Sequence, residues 1–366
     1  MAACAIHLLA EDGLIHLNDK VCKYWPEFSQ NGKDAITIAH VLNHQAGLAD
    51  AVMEHIAEDP YLAGDDAKIL EILASAAPEA SPGAETRYHY LTFGWLVDGI
   101  VRKVTRKTLK EFITEKVAMP LGIEQELLMG IGKNGASDPT ISSRLSTLVL
   151  ATLPPSTSEG SRSTERSTQK EDLSEKSTIS SRRRPTGPSI FMNPTFFNDP
   201  RIREAAIPAA NGHFSARALA KFYHAIATDA FPGDAESGDR SNAPVFSRKG
   251  WARSLLETGE NGYATIADEA MLQGGNGSFS YGYYIFPLQS KSAERFLCFG
   301  HPGLGGSIAF CRVDGDDTLA IAVTINRLSL NNNKITLSIV RSIFEQLQIP
   351  FIESAGALQQ IAEVSQ

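Results

Sequence analysis

Residues 298–310, CFGHPGLGGSIAF, join two apolar runs through a histidine and a glycine-rich turn. The runs are short, β-branched and aromatic, so they read as neighbouring antiparallel strands. Working outward, SYGYYIFPL (280–288) and TLAIAVTIN (318–326) have the same character and are set off by Gly/Asp turns, notably DGDD (314–317). With RFLCFGH (295–301) and GSIAFCRV (306–313) they make four consecutive antiparallel strands. After them, KITLSIVRSIFEQLQI (334–349) carries Ile335, Leu337, Ile339, Val340, Ile343, Phe344 and Leu347 on one broad face, a helix expected to lie on that sheet.

Towards the N-terminus the period becomes helical. FSARALAKFYHAIA (214–227) is a helix with Ser215 as its N-cap. In LTFGWLVDGIVRKVT (91–105) Phe93, Leu96, Val97, Ile100, Val101 and Val104 recur at helical spacing, TRKT interrupts, and LKEFITEKVAMPLG resumes. TIAHVLNHQAG (37–47) is a further helix, and GLIHLNDKVCKYWPEF (13–28) reads as extended or turn. The opening AACAIHLLAEDG is helical, with an apolar face at Ala5, Ile6, Leu8 and Leu9 and a stop at Asp12-Gly13. No Ser, Thr, Asp or Asn caps its start, so the helix reads as entered part-way along.

The expected organisation is a mostly helical part over residues 1–273, strands and a final helix over 274–350, and a tail over 351–366. Residues 152–189, rich in Ser, Thr, Arg, Lys, Glu and Pro, lack the apolar surface to offset ordering entropy and read as a disordered insertion. Another polar loop covers 231–244.

Composition narrows the function. The 366 residues are 43% hydrophobic and 21% charged, enough for a sizeable core. A net charge of −8 argues against a nucleic-acid surface, because the dense basic run Arg182-Arg183-Arg184 lies inside the Ser/Thr-rich tract. Cys4, Cys22, Cys298 and Cys311 are scattered singly, which suits neither a zinc knuckle nor a disulfide framework. No apolar run approaches the ~20 residues of a membrane span, and Glu11 and Asp12 do not suit a signal peptide. The cytosol is therefore the default expectation, conditional on what precedes Met1.

Three stretches carry residues that chemistry can use. RYHYLTFGW places Tyr88, His89 and Tyr90 just before a helix, where fixed backbone could hold a phenol as a proton donor or acceptor; packing is the alternative. In CFGHPGLGGSIAF, His301 ends a strand, and Pro302-Gly303-Leu304-Gly305-Gly306 lets a ligand approach main-chain N–H groups. Gly303 and Leu304 are thus candidates for an oxyanion or substrate site, with the Leu304 N–H as the donor; a plain hairpin turn is the alternative. HVLNHQAGL puts His40 and His44 four apart on one helical face, but without a third ligand or an intervening glutamate. They read as structural histidines near a helix C-terminus, where partial positive charge is favoured.

Taken in order, LLAEDGLIHLNDKVCKYWPEF, ITIAHVLNHQAGL, YHYLTFGWLVDGIVRKVT, MPLGI, IPAANGHFSARALAKFY and FGHPGLGGSIAF resemble blocks of the β-lactamase-related serine hydrolases: class C β-lactamases, penicillin-binding-protein-like esterases and eukaryotic β-lactamase-domain proteins. The resemblance spans most of the chain outside 152–189. It implies an α+β fold of β-lactamase/transpeptidase type, an all-α subdomain plus an antiparallel sheet flanked by helices, with the cleft between them. It implies acyl transfer from a small ester or amide and no metal or organic cofactor.

The family uses Ser-x-x-Lys, Tyr-x-Asn and Lys/His-x-Gly elements. By resemblance Tyr88 takes the acid/base tyrosine position, His301-Pro302-Gly303 the third element, and the Leu304 N–H half of the oxyanion hole. Tyr90 stands where the family has Asn, which weakens the case for β-lactam turnover. The Ser-x-x-Lys element would head the helix that opens this chain and so fall before Met1; the string Ser167-Thr168-Gln169-Lys170 sits in the polar tract with no helix to orient it. Two N-terminal family strands are likewise expected to be missing. TLAIAVTIN would then be an open edge, inviting strand pairing with a partner or a second copy. Two expectations compete: a longer protein whose first segment carries the nucleophile, or a pseudoenzyme or binding module that keeps the cleft.

Overall fold

The structure is a computed structural model and describes residues 1–150, 194–228, 278–289, 295–303, 305–314, 317–328 and 334–349. The expected disordered tract 152–189, the polar loop 231–244 and the tail 351–366 lie outside the described residues.

Helix α1 (Ala2–Glu11) buries every residue from Ala2 to Leu9, His7 included. The expected single apolar face is therefore a helix buried on all sides, as small and apolar residues around the whole circumference allow. It stops as expected at Asp12, with Gly13 at φ +70°. No side chain caps its start.

After turns over Val21–Lys23 and Pro26–Gly32, α2 (Ile38–Leu42), α3 (Met53–Glu58) and α4 (Asp66–Ser75) lead to α5 (Thr92–Thr105). Leu96, Val97, Ile100 and Val101 of α5 are buried, as their spacing predicts. A Cβ on Gly99 would sit 2.3 Å from the Trp25 ring, so only glycine lets this indole lie on the helix.

Helix α5 ends at Arg106 in the left-handed region (φ +63°). Thr108 and Glu111 then form a capping box that starts α6 (Leu109–Ile113). Buried Asp98 accepts the Leu109 N–H at 2.6 Å and Arg102 Nε at 2.7 Å, fastening α5 to α6.

The helical part also holds strands that the periodicity does not reveal. Strand β1 (Leu127–Met129) precedes α7 (Pro139–Ser142) and β2 (Val149–Leu150). Then come α8 (Pro200–Glu204) and β3 (Gly212–Phe214), which pairs antiparallel with β1. Three-residue strands are too short to show alternation. Ser215 accepts the Ala218 N–H at 3.0 Å as the expected cap of α9 (Ala216–Thr228).

The sheet is a five-stranded antiparallel meander in the order β4-β5-β6-β7-β8. Its strands are β4 (Ser278–Ser280), β5 (Tyr283–Gln289), β6 (Arg295–Pro302), β7 (Ile308–Asp314) and β8 (Asp317–Val323). The stretch SYGYYIFPL, read as one strand, contains a hairpin: Tyr281 (φ +44°) and Gly282 (φ +90°) form a two-residue turn with positive φ at both positions. Among the described residues β8 is a terminal strand of the sheet. Strand β9 (Arg327–Leu328) pairs parallel with β2.

Helices cover both faces of the sheet. Tyr283, Phe299, Ala309 and Cys311 join the large core with α1, α5 and α9. On the other face Phe279, Tyr284, Cys298, Ile308, Phe310, Ile321 and Val323 meet Val340 and Phe344 of α10 (Lys334–Gln346), so the final helix lies on the sheet as expected. The four cysteines are free. No helix among the described residues is long and apolar enough to cross a membrane.

Candidate functional site

His301 is placed by strand register. It stands opposite Ala309 at the end of β6, one residue before Pro302 pairs with Ile308. Its Nδ1 lies 2.6 Å from the Pro302 carbonyl. A carbonyl only accepts, so Nδ1 carries the proton and Nε2 of the neutral ring is an acceptor. The Tyr88 hydroxyl lies 3.2 Å from that Nε2 and donates to it. Residues 213 apart in sequence thus meet between the helical part and the sheet.

Burial foremost lowers the His301 pKa, and the bond to Pro302 opposes this. The ring is therefore neutral at pH 7. Phe279 and Tyr284 pack around it, with ring centroids 6.1 and 6.4 Å away.

The glycine-rich loop is held from several sides. The Gly303 N–H donates to the Ser307 carbonyl at 2.7 Å, and the Gly306 N–H to the Gly303 carbonyl at 3.1 Å. Thr336 of α10 donates to the Gly306 carbonyl at 2.6 Å. Gly305 has φ +98°, and a Cβ there would lie 2.8 Å from Leu328, so this loop accepts no side chain at that position. Gly303 itself is exposed at the end of β6. Leu304, the expected oxyanion donor, lies outside the described residues. Tyr90 is half-buried, its ring 6.5 Å from that of Tyr88, and burial raises its phenol pKa.

The two histidines of HVLNHQAGL do not share a helical face. His40 belongs to α2, where its Nδ1 accepts the Thr37 N–H at 3.3 Å in a reciprocal cap. His44 lies beyond the helix in the left-handed region (φ +57°), buried, with its ring against Tyr88 (4.8 Å), Phe93 (4.9 Å) and Phe279 (4.7 Å). Burial holds its pKa well below the ordinary value, with His89 and His301 adding to the shift. It is a neutral wall of the site, not a positive charge at a helix end. The sequence carries a weak signal for this: Asn43-His44 directly follows the apolar run of a short helix, where left-handed residues terminate helices.

His89 donates through Nδ1 to the Arg87 carbonyl (2.6 Å) and accepts the Leu48 N–H on Nε2 (3.0 Å). Arg87 in turn bridges Asp50 and Glu79. Asn43 accepts the Tyr281 N–H at 2.9 Å, tying the β4–β5 turn to the same loop. Among the described residues no group of three or more His, Cys, Asp or Glu is gathered to hold a metal.

These buried histidines predict an acid limb of stability. His89, His7 and His213 are each pulled down to about 4, by burial in the first place. Their unfolded counterparts bind protons below about pH 6.5, so stability is whole above that pH and is lost as the pH falls towards 4. At pH 5 the loss is about 1–2 kcal/mol per buried histidine. Thermal melts should therefore fall markedly from pH 7.5 to pH 5, and a flat profile over that window would contradict the assignment.

Comparison with known proteins bears on the family and the fold. The Beta-lactamase family model matches residues 1–340. The esterase/beta-lactamase LipL of Mycobacterium tuberculosis is 31% identical over 340 residues, covering 90% of this chain and 67% of LipL. Among solved structures, a family VIII carboxylesterase has a TM-score of 0.64 at 25% identity, covering 90% of this chain and 76% of its own. A penicillin-binding protein homologue from Caulobacter crescentus has a TM-score of 0.59 at 23% identity, covering 99% and 79%.

Proposed function

Because the chain belongs to the beta-lactamase family, we propose that it works as a serine hydrolase of the esterase kind, transferring the acyl group of a small ester or amide. The observation that carries this reading is the Tyr88–His301 hydrogen bond at the join between the helical part and the sheet. In the resting pair the proton sits on Tyr88 and points at His301. A proton arriving at the phenolic oxygen from an attacking hydroxyl pushes the phenolic proton onto His301 Nε2. The pair then returns a proton to the leaving oxygen or nitrogen.

We assign the attacking hydroxyl to a Ser-x-x-Lys element leading into α1. The placement of α1 supports this, since Ala3 of its first turn lies against Gly282 of the β4–β5 turn, the hairpin whose Phe279 packs on His301. The other Ser-x-x-Lys, Ser167–Lys170, lies outside the described residues. A neutral His301 gives no positive charge to a substrate carboxylate, and aromatic rings surround the pair, which favours neutral esters with apolar groups over β-lactams. Gly303 and Leu304 are the proposed oxyanion end of the site, and Tyr90 its side wall.

Fluorophosphonate labelling of the protein isolated from its own cells tests the reading. One adduct, on a serine leading into α1, is the expected result; an adduct on a different serine would overturn the assignment. No adduct, with saturable binding of a neutral ester in the cleft, would favour a binding module that keeps the site without turnover.

A further inference from the structure

We propose that His44 is a positioning residue that sets Tyr88 against His301, a role that gains its meaning from the hydrolase reading above. Both main-chain amides flanking Tyr88 are held by this one residue. The Arg87 N–H donates to the His44 carbonyl at 2.9 Å, and the His89 N–H donates to His44 Nδ1 at 3.2 Å. The left-handed backbone at His44 lets its carbonyl and its ring face the same segment. Its ring lies 4.8 Å from that of Tyr88, so the side chain fixes the phenol laterally while its two acceptors fix the backbone beneath it.

The arrangement works in one protonation state. Nδ1 accepts an N–H, so His44 is neutral with its proton on Nε2. His89 has the opposite tautomer, because its Nε2 accepts the Leu48 N–H while Nδ1 donates to Arg87. The two imidazoles form a clamp whose hydrogen bonds run in one direction. The same loop reaches the sheet through Asn43 and Tyr281, and His44 packs edge-on against Phe279. His44 therefore sits where the helical half of the site is registered against the half that carries His301.

The test is nitrogen-15 NMR of the full chain with labelled histidine, together with two variants. At pH 7 His44 should be neutral with Nδ1 unprotonated; a proton on Nδ1, or a charged ring, overturns the proposal without any variant. His44→Phe keeps a ring and the same backbone requirement but removes the acceptor. It should shift the His301 Nε2 resonance away from its hydrogen-bonded position and, in protein that turns over p-nitrophenyl acetate, lower kcat about 10²-fold with little change in KM.

His44→Asn restores an acceptor and tolerates the left-handed backbone, and should recover the resonance and most of kcat. A folded His44→Phe protein with an unshifted His301 signal, or a folded His44→Asn protein that recovers nothing, would overturn the positioning role. Because the NMR readout needs no turnover, a protein with the clamp intact and no acyl transfer counts against the hydrolase reading alone.

Discussion

Tyr88→Phe lowers kcat for hydrolysis of a neutral ester by about 10²–10⁴-fold, the range for losing a positioned general acid or base. The ring and its packing against His44, Phe279 and Tyr90 survive the substitution, while the donor to His301 is removed. Thermal stability should therefore change by no more than about 1 kcal/mol, the worth of an ordinary hydrogen bond. KM should move little, because the phenol acts on the proton in flight more than on the bound ester. Steady-state kinetics beside a thermal melt separates the possibilities: unchanged kcat in a folded variant removes Tyr88 from the chemistry and leaves it a packing residue.

Gly130→Ala has the largest expected effect on stability. Gly130 lies just after β1 at φ +65°, and a Cβ there would fall 1.9 Å from the Ala205 carbonyl oxygen and 2.6 Å from its carbon. Both are main-chain atoms, so no side chain can swing aside. The residue also donates to the Asn211 carbonyl and accepts from Lys110, so moving it strains the β1–β3 pair and the end of α8 together.

Gly122 is the natural control. Its φ is +59°, yet a Cβ there meets nothing within 4 Å. Gly122→Ala should cost about 1 kcal/mol, from the left-handed backbone alone. Gly130→Ala should cost about 3 kcal/mol or more, among the large values that core overpacking produces. Urea titrations of the two variants give the difference, and equal midpoints would show that the close approach at Gly130 is relieved at no cost.

The parts of the fold legible in sequence are those with a sustained period. Helix α5 shows six apolar positions at helical spacing, and β6, β7 and β8 are apolar runs bounded by Gly and Asp. Elements that a period cannot announce were missed or merged. Strands β1 and β3 have three residues each, and the Tyr281-Gly282 turn is hidden inside a run of aromatics.

For the site, chemistry-bearing residues next to a helix start and a glycine-rich turn were enough to single out Tyr88 and His301. Their approach to 3.2 Å is a tertiary fact that no local pattern contains. His44 reads from sequence as a structural histidine near a helix C-terminus, but the helix ends at Leu42, and two residues of turn make it a buried neutral acceptor instead of a partial charge at the helix end. Hydrogen-bond direction made the difference: which ring nitrogen carries the proton follows from the carbonyl or amide beside it, and the sequence does not say which lies beside it.

The 213-residue span between the two partners also bears on how the molecule comes into being. Contacts so distant in sequence form only after much chain entropy has been lost. The large core itself joins α1, α5 and α9 to Tyr283, Phe299, Ala309 and Cys311 of the sheet, so it too closes only when the helical part and the meander meet. The Tyr88–His301 contact crosses the same join, so core and site depend on one docking of the two parts. A molecule bound across the join would favour the docked state and so act as a brake on unfolding.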